Sequence, residues 1–306
     1  MVSIVTKIIK RIDYLYLVES IRVGPKVKQK MVKFIGKKRP ISQHEFACMQ
    51  LSYAREDWIL TDYIDQLSYQ EHAQMATVSK QYIQYVQRLD FMSKEKERER
   101  FLSMFIAESN AIEGSTLTHE ETFNYLFNDI SPKGKSKKEL YMASNLLEAW
   151  KYVEKYQKVF PNTNHICQLH SLVNRGIETE TTLGRYKPVQ NYIGDVYTTS
   201  YLFVEERMTQ MLSWIRKAYR EVDDFEVAFQ SHAQFEIIHP FVDGNGRVGR
   251  LLLNWLLLYK KCMPLAIPFS KRSSYISALQ NSRAGKIDAI SRFCYQEYVA
   301  QYEFVG

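Results

Sequence analysis

Residues 223–261 read DDFEVAFQSHAQFEIIHPFVDGNGRVGRLLLNWLLLYKK, and the way this stretch starts, stops and restarts decides the fold. Asp223 and Glu226 have the spacing of a capping box, which opens a run of apolar residues at helical intervals. That helix has to end at His239, because Pro240 disfavours helical geometry in the residue before it. Phe241 and Val242 are apolar loop residues, and Phe241 is expected to pin the loop to the core. The DGNG that follows tolerates positive φ, so its successive N–H groups, opening onto a new helix, form a nest for anionic oxygens. The second helix, RVGRLLLNWLLLYKK, is apolar nearly all round and is expected at the centre of a helical bundle.

Arg247 and Arg250 lie in the first turn of that second helix, where the helix dipole favours negative charge by about 0.3–1 kcal/mol per group. Spaced three apart, they share a face and can converge on one anion with planar donors matched to phosphate. A local rule broken in this way requires a ligand, or a carboxylate that takes its place. Asp243 stands beside the nest, and a hard carboxylate next to phosphates is the usual holder of Mg²⁺. The competing reading of Asp243 is a plain turn residue before glycine. Residues 239–250 thus read as a polyphosphate site with a histidine beside it.

From about residue 42 the pattern outside this stretch is helical, with apolar residues three and four apart. Helices are expected near 43–59, 62–90, 94–113, 119–129, 136–158, 163–176, 203–221, 225–238, 246–261 and 272–300. The exception is GRYKPVQNYIGDVYTTS at 184–200, whose β-branched and aromatic residues around Gly194-Asp195 suggest a short hairpin. The expected fold is mostly α: a helical bundle with a short β-hairpin flap, plus a small N-terminal α/β region that contains a basic hairpin. The simplest division is residues 1–40 as that hairpin region, 41–94 as a helical N-terminal region and 95–300 as the main domain.

The chain has 306 residues, 45% hydrophobic and 13% aromatic, enough to bury one or two ordinary cores. Cys48, Cys167, Cys262 and Cys294 have no metal or CxxC spacing and read as buried thiols in a reducing compartment. No secretory pattern is evident, and LLLNWLLLY is too short to span a bilayer, so a cytoplasmic protein without membrane contact is expected. The net charge of +7 is uneven: residues 1–40 carry eleven Lys/Arg against Asp13 and Glu19, or +9, which leaves the rest at about −2. A basic nucleic-acid surface on the main body is thereby disfavoured. Two alternating runs meet at Gly24-Pro25, with Lys26, Lys28 and Lys30 expected on one face. Residues 22–39 are either a solvated lysine edge or a contact for nucleic acid or an acidic partner. His119, His165, His170 and His232 lack metal-ligand spacing and read as surface or satisfied helical histidines.

With these residues in view, the chain resembles the Fic (filamentation induced by cAMP) family, matching all eight specified positions of HxFx(D/E)GNGRxxR. Asn254 after the second arginine, GRYKPVQNYIG as a substrate-aligning flap, and SSYISALQNSRAGK at 273–286 as a nucleotide-pocket helix extend the likeness over about 95–300. The resemblance implies transfer of AMP from ATP, with Mg²⁺, to a Ser, Thr or Tyr hydroxyl of a protein. It further implies that His239 accepts the hydroxyl proton and that Asp243 holds Mg²⁺. Gly244, Asn245 and Gly246 would bind the phosphates, Arg247 and Arg250 would orient them, and Ile193, Gly194 and Asp195, with Tyr275, would flank the base and the target chain.

SNAIEG at 109–114 resembles the family's inhibitory pattern (S/T)xxxE(G/N), comprising Ser109, Glu113 and Gly114. Glu113 would end a helix near 100–114 closed by Gly114, where the carbonyl ends disfavour a carboxylate and a cation would relieve it. Arg250 is the candidate cation, and the competing reading is a solvated helix-end glutamate. Two rivals to AMP transfer stay open: removal of AMP at the same site, and an ATP-sensing binding protein that recruits nucleic acid through the basic hairpin. Self-modification and homodimer formation are likewise open.

Overall fold

The computed structural model describes residues 2–23, 26–54, 63–192 and 196–303. Among them, a three-stranded antiparallel sheet in the order β1 (Val2–Ile9), β2 (Ile12–Val23), β3 (Lys26–Lys37) precedes eleven α-helices. These are α1 (Gln43–Ala54), α2 (Tyr69–Arg88), α3 (Phe91–Ile112), α4 (His119–Phe127), α5 (Lys137–Tyr156) and α6 (Thr163–Asn174). The remainder are α7 (Val204–Ala218), α8 (Asp224–Ile238), α9 (Asn245–Tyr259), α10 (Arg272–Arg283) and α11 (Asp288–Tyr302). The fold is mostly α, as the spacing of apolar residues required.

Helices α8 and α9 are the two halves of the stretch around His239, and they pack against each other at the centre. Every residue of α8 from Phe225 to Ile238 is buried, and so is α9 from Arg247 to Leu257. Around them stand α7, α10 and α11 on one side and α3, α5 and α6 on the other. Helix α2, expected in a separate N-terminal region, lies against α11 and shares this core. Asn254 looks out of place in an apolar helix, but its amide donates to the Leu265 carbonyl at 2.9 Å and accepts from the Leu265 N–H at 2.7 Å. It thereby fixes the chain that returns beneath α9.

The sequence foresaw only the β2–β3 hairpin, and the structure adds β1. It joins β2 through Lys10 and Arg11, both at positive φ, a two-residue turn built without the usual Gly or Asn. Val2, Leu17, Met49 and Phe203 form a small second core under the sheet. Two further expectations are corrected. The single helix over 272–300 is two helices, broken at Gly285 with φ +97°, the left-handed position that commonly ends a helix. At 184–200 the described residues contain no strand beyond an isolated bridge at Val196, and the tip of the expected hairpin, 193–195, lies outside them.

The Asp223–Glu226 capping box is not formed either. Asp223 caps α8 by accepting from the Phe225 N–H at 2.9 Å, whereas Glu226 is fully buried and turned inward. Its Oε1 accepts from the N–H groups of Gln66 and Leu67, each at 2.6 Å, and its Oε2 from Gln230 at 3.0 Å and Ser291 at 2.7 Å. One carboxylate thus ties α8 to α11 and to the start of α2. Replacing Glu226 by Ala should lower stability by about 3–5 kcal/mol, because it orphans several buried donors. Glu226→Gln, which keeps an acceptor oxygen, should lose less; urea unfolding of both variants checks the order.

Candidate active site

His239 closes α8 in the left-handed conformation, φ 50° and ψ 63°, a strained state for a residue with a Cβ. Its N–H still donates to the Phe235 carbonyl at 2.8 Å, so the ring leaves the helix at a fixed angle. The ring edges a cavity of about 230 Å³ lined by Glu113, Glu236, Gly246, Arg250, Tyr275 and Arg283 among others.

The loop after His239 is held from three directions. Phe241, fully buried, stacks on the His170 ring with centroids 4.0 Å apart, as expected of an anchor. Asn245 accepts from the Phe241 N–H at 2.8 Å and donates to the Phe241 carbonyl at 2.9 Å. Its side chain is therefore committed to the loop, and what it can offer a ligand is its backbone N–H. Because the Gly184 N–H donates to Nδ1 of His170 at 2.9 Å, the ring proton sits on Nε2, which faces the Asp243 carbonyl at 3.1 Å. Burial pushes the His170 pKa down, while Glu178 opposes that shift.

Gly244 takes φ +73° as the residue before α9, and a Cβ there would overlap the Asn174 side chain. The first N–H groups of α9 have no partner within the helix and point out of its end. Arg247 is 2% exposed; its Nη2 donates to Asn174 at 2.9 Å, but Nε and Nη1 have no acceptor. Burial lowers its pKa, partly countered by Asp243 and Glu113. The Asp243 carboxylate accepts from the Gly244 N–H through Oδ1 at 2.7 Å and leaves Oδ2 3.9 Å from Arg247. A largely exposed carboxylate beside open N–H groups fits a Mg²⁺ ion held by one protein ligand and by phosphates.

Arg250 lies one turn further and is also 2% exposed. Its Nε donates to Ser109 Oγ at 2.8 Å, and its Nη2 donates to the Ser109 carbonyl at 2.9 Å and to Glu113 Oε1 at 2.8 Å. Burial opposes its charge, yet Tyr275 and Glu113 raise its pKa above the ordinary value. Ser109 and Glu113 sit on the last turn of α3, which Gly114 closes at φ +95°. That end is pinned: Arg272 donates to the Ile112 carbonyl at 3.1 Å, and Thr116 donates twice to Glu139 at 2.8 Å. The backbone N–H groups of Thr116 and Ser136 hold the Glu139 pKa down to about 2. Glu113 consequently lies over the start of α9, where a Cβ on Gly246 would overlap its Oε1.

Tyr275 lines the cavity but is buried, with its hydroxyl 2.7 Å from His232 Nε2 and its ring 6.0 Å from the Arg250 guanidinium. It supports Arg250 from behind more than it faces outward. Burial lowers the His232 pKa to about 4, leaving a neutral ring beside it. Ile193, Gly194 and Asp195 lie outside the described residues. Their flanks are anchored on the motif loop: the Lys187 N–H donates to the Pro240 carbonyl at 2.8 Å, and Asn191 donates to the Phe241 carbonyl at 2.7 Å.

His170 is a satisfied helical histidine, as expected, but its partnership with Asn174 and the part played by Glu236 were not read from the sequence. The first two are four apart on one helical face, a visible pattern whose partner is some seventy residues away. Glu236 is buried under Gly249 with one oxygen 3.7 Å from His239 Nδ1, and after the cost of burial His239, His232 and Arg250 bring its pKa down. A charge three residues before His239 and one turn after His232, in a largely apolar helix, was its one signal.

Residues 160–257 match the Fic/DOC family. A protein adenylyltransferase Fic from Nematostella vectensis is 33% identical over 192 residues, which span 61% of this chain and 45% of that relative. Protein adenylyltransferase fic-1 from Caenorhabditis elegans is 25% identical over 197 residues, 62% of this chain and 38% of the relative. The chain thus spans less than half the length of these curated relatives. A Fic domain containing signaling protein from Bacteroides thetaiotaomicron shares the fold with a TM-score of 0.67 at 19% identity, over 77% of this chain and 95% of that one.

The overlap at Gly246 makes a direct test of the geometry. Gly246→Ala should destabilise the protein, and the same substitution in a Glu113→Gly background should cost less, with a coupling of about 1 kcal/mol or more in a double-mutant cycle of unfolding free energies.

Proposed function

We propose that the chain is a protein adenylyltransferase that moves AMP from ATP to a Ser, Thr or Tyr hydroxyl of a target protein, and that Glu113 restrains it. The observation that carries this reading is Arg247, a buried guanidinium with two unpaired donors beside the free N–H groups that open α9. Such a cluster suits a phosphate chain, because charge-assisted and helix-terminal donors act together on it. The names of the Nematostella and Caenorhabditis relatives support the same activity.

In this mechanism the N–H groups of Asn245, Gly246 and Arg247 receive the phosphates, and Ile276 and Leu279 offer the base an apolar wall. Asp243 would hold Mg²⁺, which supplies charge neutralisation to the phosphates. The flap presents the target hydroxyl. His239 accepts its proton as the hydroxyl oxygen bonds to the α-phosphorus and the bond to pyrophosphate breaks, so catalysis rests on positioning, one base and fixed charge. Glu113 opposes this by occupying Arg250 and the space above Gly246, so that the terminal phosphate loses its cation and meets a carboxylate.

Two outcomes follow for assays with ATP labelled at the α-phosphate. His239→Ala should reduce labelling of target or self by roughly 10²- to 10⁴-fold while calorimetric ATP binding stays close to the parent; near-parental labelling would remove His239 from its role. Glu113→Gly should raise labelling, and the double variant with His239→Ala should be silent again. If Glu113→Gly instead only slows release of AMP from a modified protein, removal of AMP is the native reaction.

A further inference from the structure

The N-terminal sheet has two unlike faces. Val2, Ile4 and Leu17 meet Met49 and Phe203 in the small core. Tyr14 and Tyr16 alternate with Leu15 and Leu17 along β2, so their rings lie on the opposite face. Cross-strand pairing sets two rows on that face: Lys7–Tyr14–Lys37, and beside it Val5–Tyr16–Phe34. The rings form one cluster, with centroids 5.7 Å apart for Tyr14–Phe34 and 5.1 Å for Tyr16–Phe34, and the Lys7 ammonium lies 5.1 Å from the Tyr16 centroid.

Phe34 is 51% exposed, and Tyr14 and Tyr16 are half-buried. Lys10 and Arg11 project from the turn at the same end. Among the described residues, the ion pairs of this region belong to Lys33, Lys38 and Arg39; Lys7, Lys10, Arg11 and Lys37 join none. Uncompensated cations therefore frame an exposed aromatic cluster.

We infer that this face of the N-terminal sheet binds single-stranded nucleic acid, with unpaired bases stacked on Tyr14, Tyr16 and Phe34 and the phosphates tracking past Lys7, Lys10, Arg11 and Lys37. A lysine-protected edge needs charges along its rim, but it gives no reason to leave three adjacent rings open on the sheet's face. An unstacked base supplies the flat π surface that such rings hold, and its phosphates supply the missing negative charge. A duplex keeps its bases stacked and offers these rings nothing. The inference is independent of the AMP-transfer reading.

Fluorescence anisotropy of the full chain with a labelled oligothymidylate, and with the matching oligouridylate, tests it. Binding should weaken steeply as salt rises, and Tyr14→Leu and Phe34→Leu, which keep apolar bulk, should each weaken it by roughly five- to hundred-fold. Tyr16→Phe should retain it. Lys7→Gln and Lys37→Gln, surface changes that leave the fold alone, should lower the logarithmic salt slope by roughly 0.7 each. No binding at low salt, binding indifferent to loss of the rings, or tighter binding to polyglutamate would overturn the inference, the last by assigning an acidic protein to this face.

Discussion

The guanidinium of Arg250 is enclosed by protein, and a charge in that position needs acceptors around it. Three come from one turn of α3: the Ser109 hydroxyl, the Ser109 carbonyl and the Glu113 carboxylate. Glu113 at the carbonyl end of α3 and Arg250 near the donor end of α9 each carry the charge that their own helix dipole disfavours, and pairing them offsets both. Gly246 has to be glycine because the carboxylate lies on top of it. Burial of α9 fixes Arg250, Arg250 fixes the end of α3, and the end of α3 fixes how much room the anion nest has.

Arg247, one turn earlier, has no such carboxylate at contact distance and keeps two donors open. The asymmetry between two arginines on one helical face is the electrostatic content of the site. In our reading, Arg247 and the helix N-terminus are set for phosphate, whereas Arg250 is engaged until Glu113 moves. His239, strained at the end of α8 and backed by the buried carboxylate of Glu236, is held over the cavity that Gly246 and Arg250 line.

Much of this was legible in the sequence because its determinants are local. Pro240 dictates where α8 stops, the DGNG turn dictates where α9 starts, and Gly114 marks the end of α3. The features that escaped depend on distant partners or on unusual local choices. Glu226 has the spacing of a cap, yet it is drawn inward by two backbone N–H groups from residues 66 and 67. Strand β1 was hidden because its turn uses Lys10 and Arg11 at positive φ, where sequence reading looks for Gly or Asn. His170 and Asn174 resembled ordinary helical residues until the Asp243 carbonyl arrived from across the bundle. The break at Gly285 did carry a signal, a lone glycine in a helical run, and it was outweighed by apolar spacing on both sides.

In our reading, Glu113 and the terminal phosphate compete for Arg250. Paired crystal structures with Mg²⁺ and a non-hydrolysable ATP analogue, one of the parent chain and one of Glu113→Gly, measure it directly. The account predicts that in Glu113→Gly the terminal phosphate contacts the Arg250 guanidinium, while in the parent Arg250 stays on Glu113 and the phosphate chain lies elsewhere. The same phosphate positions in both structures, with Arg250 still on Glu113 in the parent, would contradict it.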